Sequence, residues 1–228
     1  VAWKASDELA SYSSPIAAEI DGRPWCFVYA RGGLVGLDPR TGAVDFEYPW
    51  RAPLLESAIA STPVVIGDEV FISESYAVGS SLLKVSPGRF DVVWKDDRKT
   101  RDKALLLHWN TPVFHEGFLY GSSGRHEGNA ELRCIEWKTG TVRWSQPALG
   151  RSSLTSVDGH FICLSENGSL HVLRATPDAY TPVRSVTLVD DAGEDLLAAP
   201  AWTAPVIARG LLYVRGDDRL VCLDLRGK

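Results

Sequence analysis

No stretch of the 228-residue sequence approaches the ~18 to 20 consecutive apolar residues that a membrane-crossing helix requires; runs such as Leu105 to Leu107 are soon broken by polar residues. No transmembrane segment is therefore expected. Positive charge is also short, with 24 Lys and Arg against 29 Asp and Glu and a net charge of −5. Phosphate binding needs clustered cations that displace counterions, so nucleic acid is excluded as a partner. The one basic run, Lys95 to Lys103, has Asp96, Asp97 and Asp102 within it and reads as a solvated loop. Cysteine is sparse and scattered. Cys26, Cys134, Cys163 and Cys222 stand singly in apolar segments with no C-x-x-C spacing, which removes the usual zinc and redox motifs and leaves each as a small buried hydrophobe. P-loop, dinucleotide fingerprint and nucleophile elbow are all missing.

What is present points to all-β structure. Gly 20, Pro 13 and Trp 8 in a chain of this length suit many turns between short aromatic-bearing strands. Five segments share an order: a small or hydroxyl residue with Pro, an apolar run, a turn, a second apolar run, a turn, then Leu-x-x-apolar. They begin near 14, 62, 111, 153 and 204, a spacing of 42 to 51 residues that suits the blades of a β-propeller. Aligning the third strands puts Leu34, Leu82, Leu132, Leu170 and Leu220 in one column, expected to be buried because every blade packs the same position against a neighbour. Continuous apolar runs such as Val70-Phe71-Ile72 and Phe118-Leu119-Tyr120 suit strands covered on both faces. Asn167-Gly168 and Asp217-Asp218 read as hairpin turns needing positive φ, so the Asn167-Gly168-Ser169 sequon is taken as structural. Cys134 and Cys222 fall at the same strand position two blades apart, too far to be joined.

The fourth strand follows a turn and tends to end on an aromatic: Thr41-Gly42 before Phe46, Phe90 to Trp94, and Thr139-Gly140 before Trp144. A Leu-x-x-Leu-Asp strand, a Thr-Gly turn and a strand ending in Trp resemble the repeat of the PQQ-like (quinoprotein-type) β-propellers. That family includes quinoprotein dehydrogenases and BamB-type assembly lipoproteins of the outer membrane. The resemblance spans nearly the whole chain, is best in blades 1, 3 and 5, and is poorest in blade 4 (Thr176 to Leu188), which lacks both turn and Trp. It implies one propeller domain over 1–228 and a periplasmic or exported location. Val1-Ala2-Trp3-Lys4 has the form of a fourth strand, and Leu223 to Lys228 reaches the point where one should start. Two arrangements stay open: a five-bladed ring sealed by Val1 to Lys4, or part of a larger ring of about eight blades.

Quinoprotein enzymes of this family hold PQQ against a Trp with a Ca²⁺ bound by carboxylate and amide oxygens, and many add a disulfide between adjacent Cys. No two Cys are adjacent here, so no cofactor is expected. Among the expected innermost strands, Pro15 to Ile20, Pro63 to Ile66, Pro112 to Phe114, Leu154 to Val157 and Pro205 to Ala208, Glu19 is the one carboxylate. Paired acid and base work, as in glycosidases, has no second partner. His108, His115 and His126 fall in one repeat, but a metal site also needs convergent geometry that spacing does not show, and no metal is expected.

Function is therefore sought in the loops. Ser73 to Ser80 in blade 2, Ser122 to Ala130 in blade 3 and the crossing Lys95 to Asn110 read as elaborated loops on one sector of one face. Tyr76, His108, Trp109, Arg125, His126 and Glu127 are the candidate binding residues, offering stacking, hydrogen bonds and charge. Trp109 lies three residues before Pro112, as Trp202 and Tyr12 lie before Pro205 and Pro15, which also suits a structural aromatic at a channel entrance. The expectation is a non-catalytic scaffold for a protein or peptide partner, monomeric or part of a larger chain. The alternative is a small-ligand-binding or PQQ-dependent quinoprotein dehydrogenase-like protein.

Overall fold

The computed structural model describes residues 1–54 and 56–226. The fold is all-β and of propeller type, with no α-helix among these residues. Sheet 1 holds β1 (Ile16–Ile20), β2 (Arg23–Ala30), β3 (Gly33–Leu37) and β4 (Val44–Tyr48). Sheet 2 holds β5 (Val64–Ile66), β6 (Glu69–Glu74), β7 (Gly79–Ser86) and β8 (Arg89–Lys95). Sheet 3 holds β9 (Val113–His115), β10 (Phe118–Ser123), β11 (Glu131–Glu136) and β12 (Val142–Pro147). Sheet 4 holds β13 (Ser152–Val157), β14 (His160–Ser165), β15 (Ser169–Arg174) and β16 (Pro182–Thr187). Sheet 5 has three strands, β17 (Val206–Ala208), β18 (Leu211–Arg215) and β19 (Leu220–Asp224). Within every sheet, neighbours in sequence pair antiparallel.

The described residues form two compact units, one of Val1–Thr111 with Trp137–Thr141 and one of Pro112–Glu136 with Val142–Lys228. In the first, Trp25, Phe27 and Leu34 of sheet 1 pack with Val70, Ile72 and Leu83 of sheet 2. In the second, Tyr120, Leu132 and Cys134 pack with Phe161 and Cys163, while Leu164 and Leu170 pack with Leu212 and Val214. β3 and β6 are buried along their whole length, as their unbroken runs imply. Each fully buried large side chain here contributes about 1.5 to 3 kcal/mol relative to exposure.

An irregular step in the third-to-fourth-strand ladder serves as a ruler between blades. It falls at Gly36/Leu37, Leu82/Leu83, Cys134/Ile135 and Val172/Leu173. The residue just before each step pairs, in the same order, with Phe46, Trp94, Trp144 and Arg184. Leu34, Leu132 and Leu170 each precede the step by two residues, whereas Leu82 is at it. The expected Leu column is therefore two residues out of register in blade 2, where Ser80 holds that place. A shift of two keeps the same face, so Leu82 is buried all the same.

The aromatics at the step dock onto the turn of a following blade. Trp94 Nε1 donates to the Trp137 carbonyl at 2.8 Å, and Trp144 Nε1 donates to that of Thr176 at 3.1 Å. Trp3 does the same, its Nε1 donating to the Pro39 carbonyl at 3.0 Å. Each Thr-Gly turn carries its Gly for two reasons. Gly42 and Gly140 have φ of +75° and +72°, and a Cβ on them would lie 2.6 Å from the Trp3 ring and 2.7 Å from the Trp94 ring.

Four expectations are corrected. Residues 1–4 form no strand, although Trp3 takes a fourth-strand Trp's contact. The expected start of a fourth strand at 227–228 lies outside the described residues. Leu220 is 64% exposed while Leu34, Leu82, Leu132 and Leu170 are buried, because among the described residues of its unit no fourth strand or further sheet covers its face. Ser73 to Ser80 is not a long loop: Ser73 pairs with Ser80 and Glu74 with Gly79, leaving a turn at 75–78. Serines read as loop residues, but here their hydroxyls are paired inside, Ser73 and Ser80 Oγ both donating to the Leu105 carbonyl at 3.0 and 2.9 Å. Finally, Asp217 and Asp218 are absent from the positive-φ residues and sit in a wider turn closed by Gly216 N–H to Arg219 O at 3.1 Å.

Candidate functional site

The six candidate residues fall in two groups, one on each unit. Tyr76, His108 and Trp109 belong to the first unit, and all three are half-buried. The Tyr76 and His108 rings meet edge to face at 6.0 Å, and Tyr76 packs against the core of sheets 1 and 2. The crossing that carries His108 and Trp109 is tied down: Ser80 N–H donates to Asp96 Oδ2 at 2.6 Å, and Ala104 N–H donates to both Asp96 oxygens. Leu105 and Leu107 within it are buried.

Close to this group lies a carboxylate that the loop pattern did not single out. Glu74 is 1% exposed, and its Oε2 accepts from Ala52 N–H at 2.9 Å. Burial raises its pKa, against smaller opposing effects from Ala52 N–H, Ser57, Arg51 and Arg98. Arg98 stacks over the Trp50 ring at 4.7 Å.

Arg125, His126 and Glu127 are exposed on the second unit. They lead into a single 3₁₀ turn, Glu127–Asn129, and the loop bends back on itself. His126 N–H donates to Asn129 Oδ1 at 3.2 Å, and Asn129 N–H donates to the His126 carbonyl at 3.1 Å. Arg125 Nη2 lies 3.2 Å from His126 Nε2, so the two side chains lie together.

Beneath this loop Glu166 gathers three segments of chain. Its carboxylate takes Arg151 Nε at 3.1 and 2.9 Å, Arg151 Nη2 at 2.6 Å and Arg151 N–H at 3.1 Å. Trp202 Nε1 adds a bond to Oε2 at 3.2 Å, and the Arg151 guanidinium lies 5.4 Å from the Trp202 ring. Arg151 Nη1 donates in turn to the Arg125 main-chain oxygen at 3.3 Å. Glu166 is 5% exposed, and burial acts to raise its pKa. The Arg151 and Trp202 hydrogen bonds outweigh that effect and hold the carboxyl below its ordinary range. A cavity of about 400 Å³ opens here, lined by Glu127, Gly128, residues 148–150, Glu166 and Asn167. Glu127 therefore does line a cavity, with two residues, Glu166 and Asn167, that belong to what reads as a plain hairpin turn. Nothing local marks Glu166 or Arg151, which are fifteen positions apart; only strand pairing brings them together.

Arg125, His126 and Glu127 thus come together, as do Tyr76 and His108. Trp202 is 47% exposed and Tyr12 82% exposed, so the three aromatics before the inner-strand prolines do not share one environment. None of the cysteines is in a disulfide, and the expectation that all four are buried is corrected: Cys134 and Cys163 are buried, but Cys26 is half-buried and Cys222 is exposed, on the same open face of β19 as Leu220. No helix among the described residues is long and apolar enough to cross a membrane.

Comparison with known proteins gives the fold relatives. BamB from Moraxella catarrhalis superposes with a TM-score of 0.65 at 16% identity, over 97% of this chain and 60% of that one. The Pseudomonas aeruginosa PilY1 C-terminal domain gives 0.59 at 18% identity, over 84% of this chain and 51% of that one. A europium-containing methanol dehydrogenase gives 0.58 at 12% identity, over 87% of this chain and 51% of that one. The chain thus spans between half and three fifths of these relatives' lengths. At such identities the likeness is one of fold. No curated protein matches the sequence. A family model does match, over residues 1–146, and by it the chain belongs to the family described as outer membrane protein assembly factor BamB.

Proposed function

We propose that this chain is a non-catalytic propeller scaffold that binds a protein or peptide partner through its elaborated loops, the Arg125–Glu127 loop of blade 3 first among them. The observation that carries this reading is an exposed Arg, His and Glu on a backbone fixed from below by Arg151. A pre-ordered loop loses less conformational freedom on binding than a mobile one. Arg125 and His126 suit a carboxylate or main-chain oxygen of the partner, and Glu127 suits a cation. Tyr76, His108 and Trp109, on the first unit, are taken separately as a second surface that could offer stacking area to a partner. The family's outer-membrane assembly role supports a protein partner and an exported location. The likeness to methanol dehydrogenase assigns no residue to PQQ or Ca²⁺.

The test is capture of partners from an envelope extract, followed by the Arg125→Ala, His126→Ala double variant. Folding should be unchanged within about 0.5 kcal/mol, since exposed loop changes seldom cost more. Affinity should fall. Full affinity in that variant, beside a loss on altering the opposite loops, would place the site elsewhere.

A further inference from the structure

The Arg151 guanidinium has two unlike neighbours. Three of its hydrogen bonds go to the buried Glu166 carboxylate, and a fourth goes to the main-chain oxygen of Arg125. The fork is thus locked on one side by a carboxylate that cannot turn, because the same carboxylate takes Arg151's own N–H and the Trp202 indole. Glu166 is joined to the 148–151 crossing and to the 198–202 crossing by its backbone as well. Its N–H donates to Arg151 O at 2.9 Å, and its carbonyl accepts from Ala201 N–H at 2.8 Å. A planar, pre-oriented guanidinium is the side chain that can bridge two acceptors at fixed angles; an ammonium on a flexible stem cannot.

We propose that Arg151 and Glu166 are positioning residues for the Arg125–Asn129 loop, setting its conformation through the Arg125 main-chain oxygen rather than through any exposed side chain. The Glu166 carboxylate aims the guanidinium, and the guanidinium holds the loop over the cavity at Glu127. The loop's geometry is thereby shared with the crossing that bears Trp202. The link to binding rests on the function proposed above; the positioning itself does not.

Hydrogen exchange of the whole chain, with no partner present, tests this. The informative amides are His126, Asn129 and Ala130, whose bonds close the loop. In Arg151→Ala their exchange should rise about three- to tenfold, the effect of losing one partly screened charged hydrogen bond, while β10 and β11 amides stay as they were. Glu166→Gln should give the same pattern more weakly, and Arg151→Lys, which keeps the charge without the fork, should not restore the loop. Arg125→Ala should leave these amides unchanged, because the tether uses the backbone oxygen. Unchanged loop exchange in Arg151→Ala would overturn the proposal, as would a rise of equal size across β10, β11 and β14. Full rescue by Lys, or the same signature from Arg125→Ala, would overturn it too. If Arg151→Ala does not fold, the Lys and Gln variants decide alone. Loss of the binding reading with the exchange pattern intact would leave the positioning role standing.

Discussion

Gly140→Ala measures how much the docking of one blade's aromatic on the next blade's turn contributes to stability. Gly140 has φ +72° and a Cβ there would lie 2.7 Å from the Trp94 ring. The left-handed backbone alone costs a non-glycine residue about 1 to 2 kcal/mol. The methyl must also push the indole aside, weakening the 2.8 Å bond from Trp94 Nε1 to the Trp137 carbonyl and the contact with Phe71 at 6.0 Å. One hydrogen bond is worth about 1 kcal/mol net, so Gly140→Ala should cost about 2 to 3 kcal/mol. Gly67 in the same unit is the control, with φ +60° and nothing within 4 Å of its Cβ position. Gly67→Ala should therefore cost only the backbone part. Urea unfolding of both, alone and in a Trp94→Ala background, gives the coupling directly. In that background Gly140→Ala should fall to the Gly67→Ala value, a coupling of about 1 kcal/mol or more. Equal costs for the two glycines with Trp94 present would refute the docking argument.

Two buried carboxylates should give opposite pH behaviour. Burial raises Glu74 above its ordinary 4.5, so the stability it contributes is present below that value and is lost as pH rises through the folded pKa. Glu74→Gln should then gain on the parent protein as pH rises above about 4.5 in urea melts. Glu166 is lowered, so its contribution is present above the ordinary value and is lost as pH falls through the folded pKa; Glu166→Gln should destabilise at neutral pH and converge with the parent in acid. Leu132→Ala, at 1% exposure, should cost about 3 to 5 kcal/mol in the same assay, and Leu220→Ala, at 64%, less than about 1 kcal/mol. Alkylation at pH 8 followed by peptide mass spectrometry should label exposed Cys222 first. Burial pushes Cys134 up to about 11 and Cys163 up to about 12, so these two should stay unmodified until the chain unfolds.

Much of the fold is legible in the amino-acid order because its causes are local. A Thr-Gly turn needs a positive φ, an unbroken run such as Val70-Phe71-Ile72 needs cover on both faces, and a proline opens most of the inner strands. These recur at blade spacing, and the five units follow. The inner strands come out within two residues of their expected starts, and the Asn167-Gly168 sequon is the hairpin it reads as, with φ +88° at Gly168. What depends on partners distant in sequence was not legible. A two-residue slip in blade 2 keeps every side chain on its face, so hydrophobic pattern alone cannot detect it, and only the ladder's irregular step shows it. Ser73 and Ser80 look like loop residues until the Leu105 carbonyl is placed above them. Leu220 carries the same local pattern as Leu132, yet exposure is decided by whether another sheet lies across it. The candidate loop divides in the same way: Arg125, His126 and Glu127 are named by their composition, while the Glu166 and Arg151 pair that fixes them exists only once β13 and β14 lie side by side.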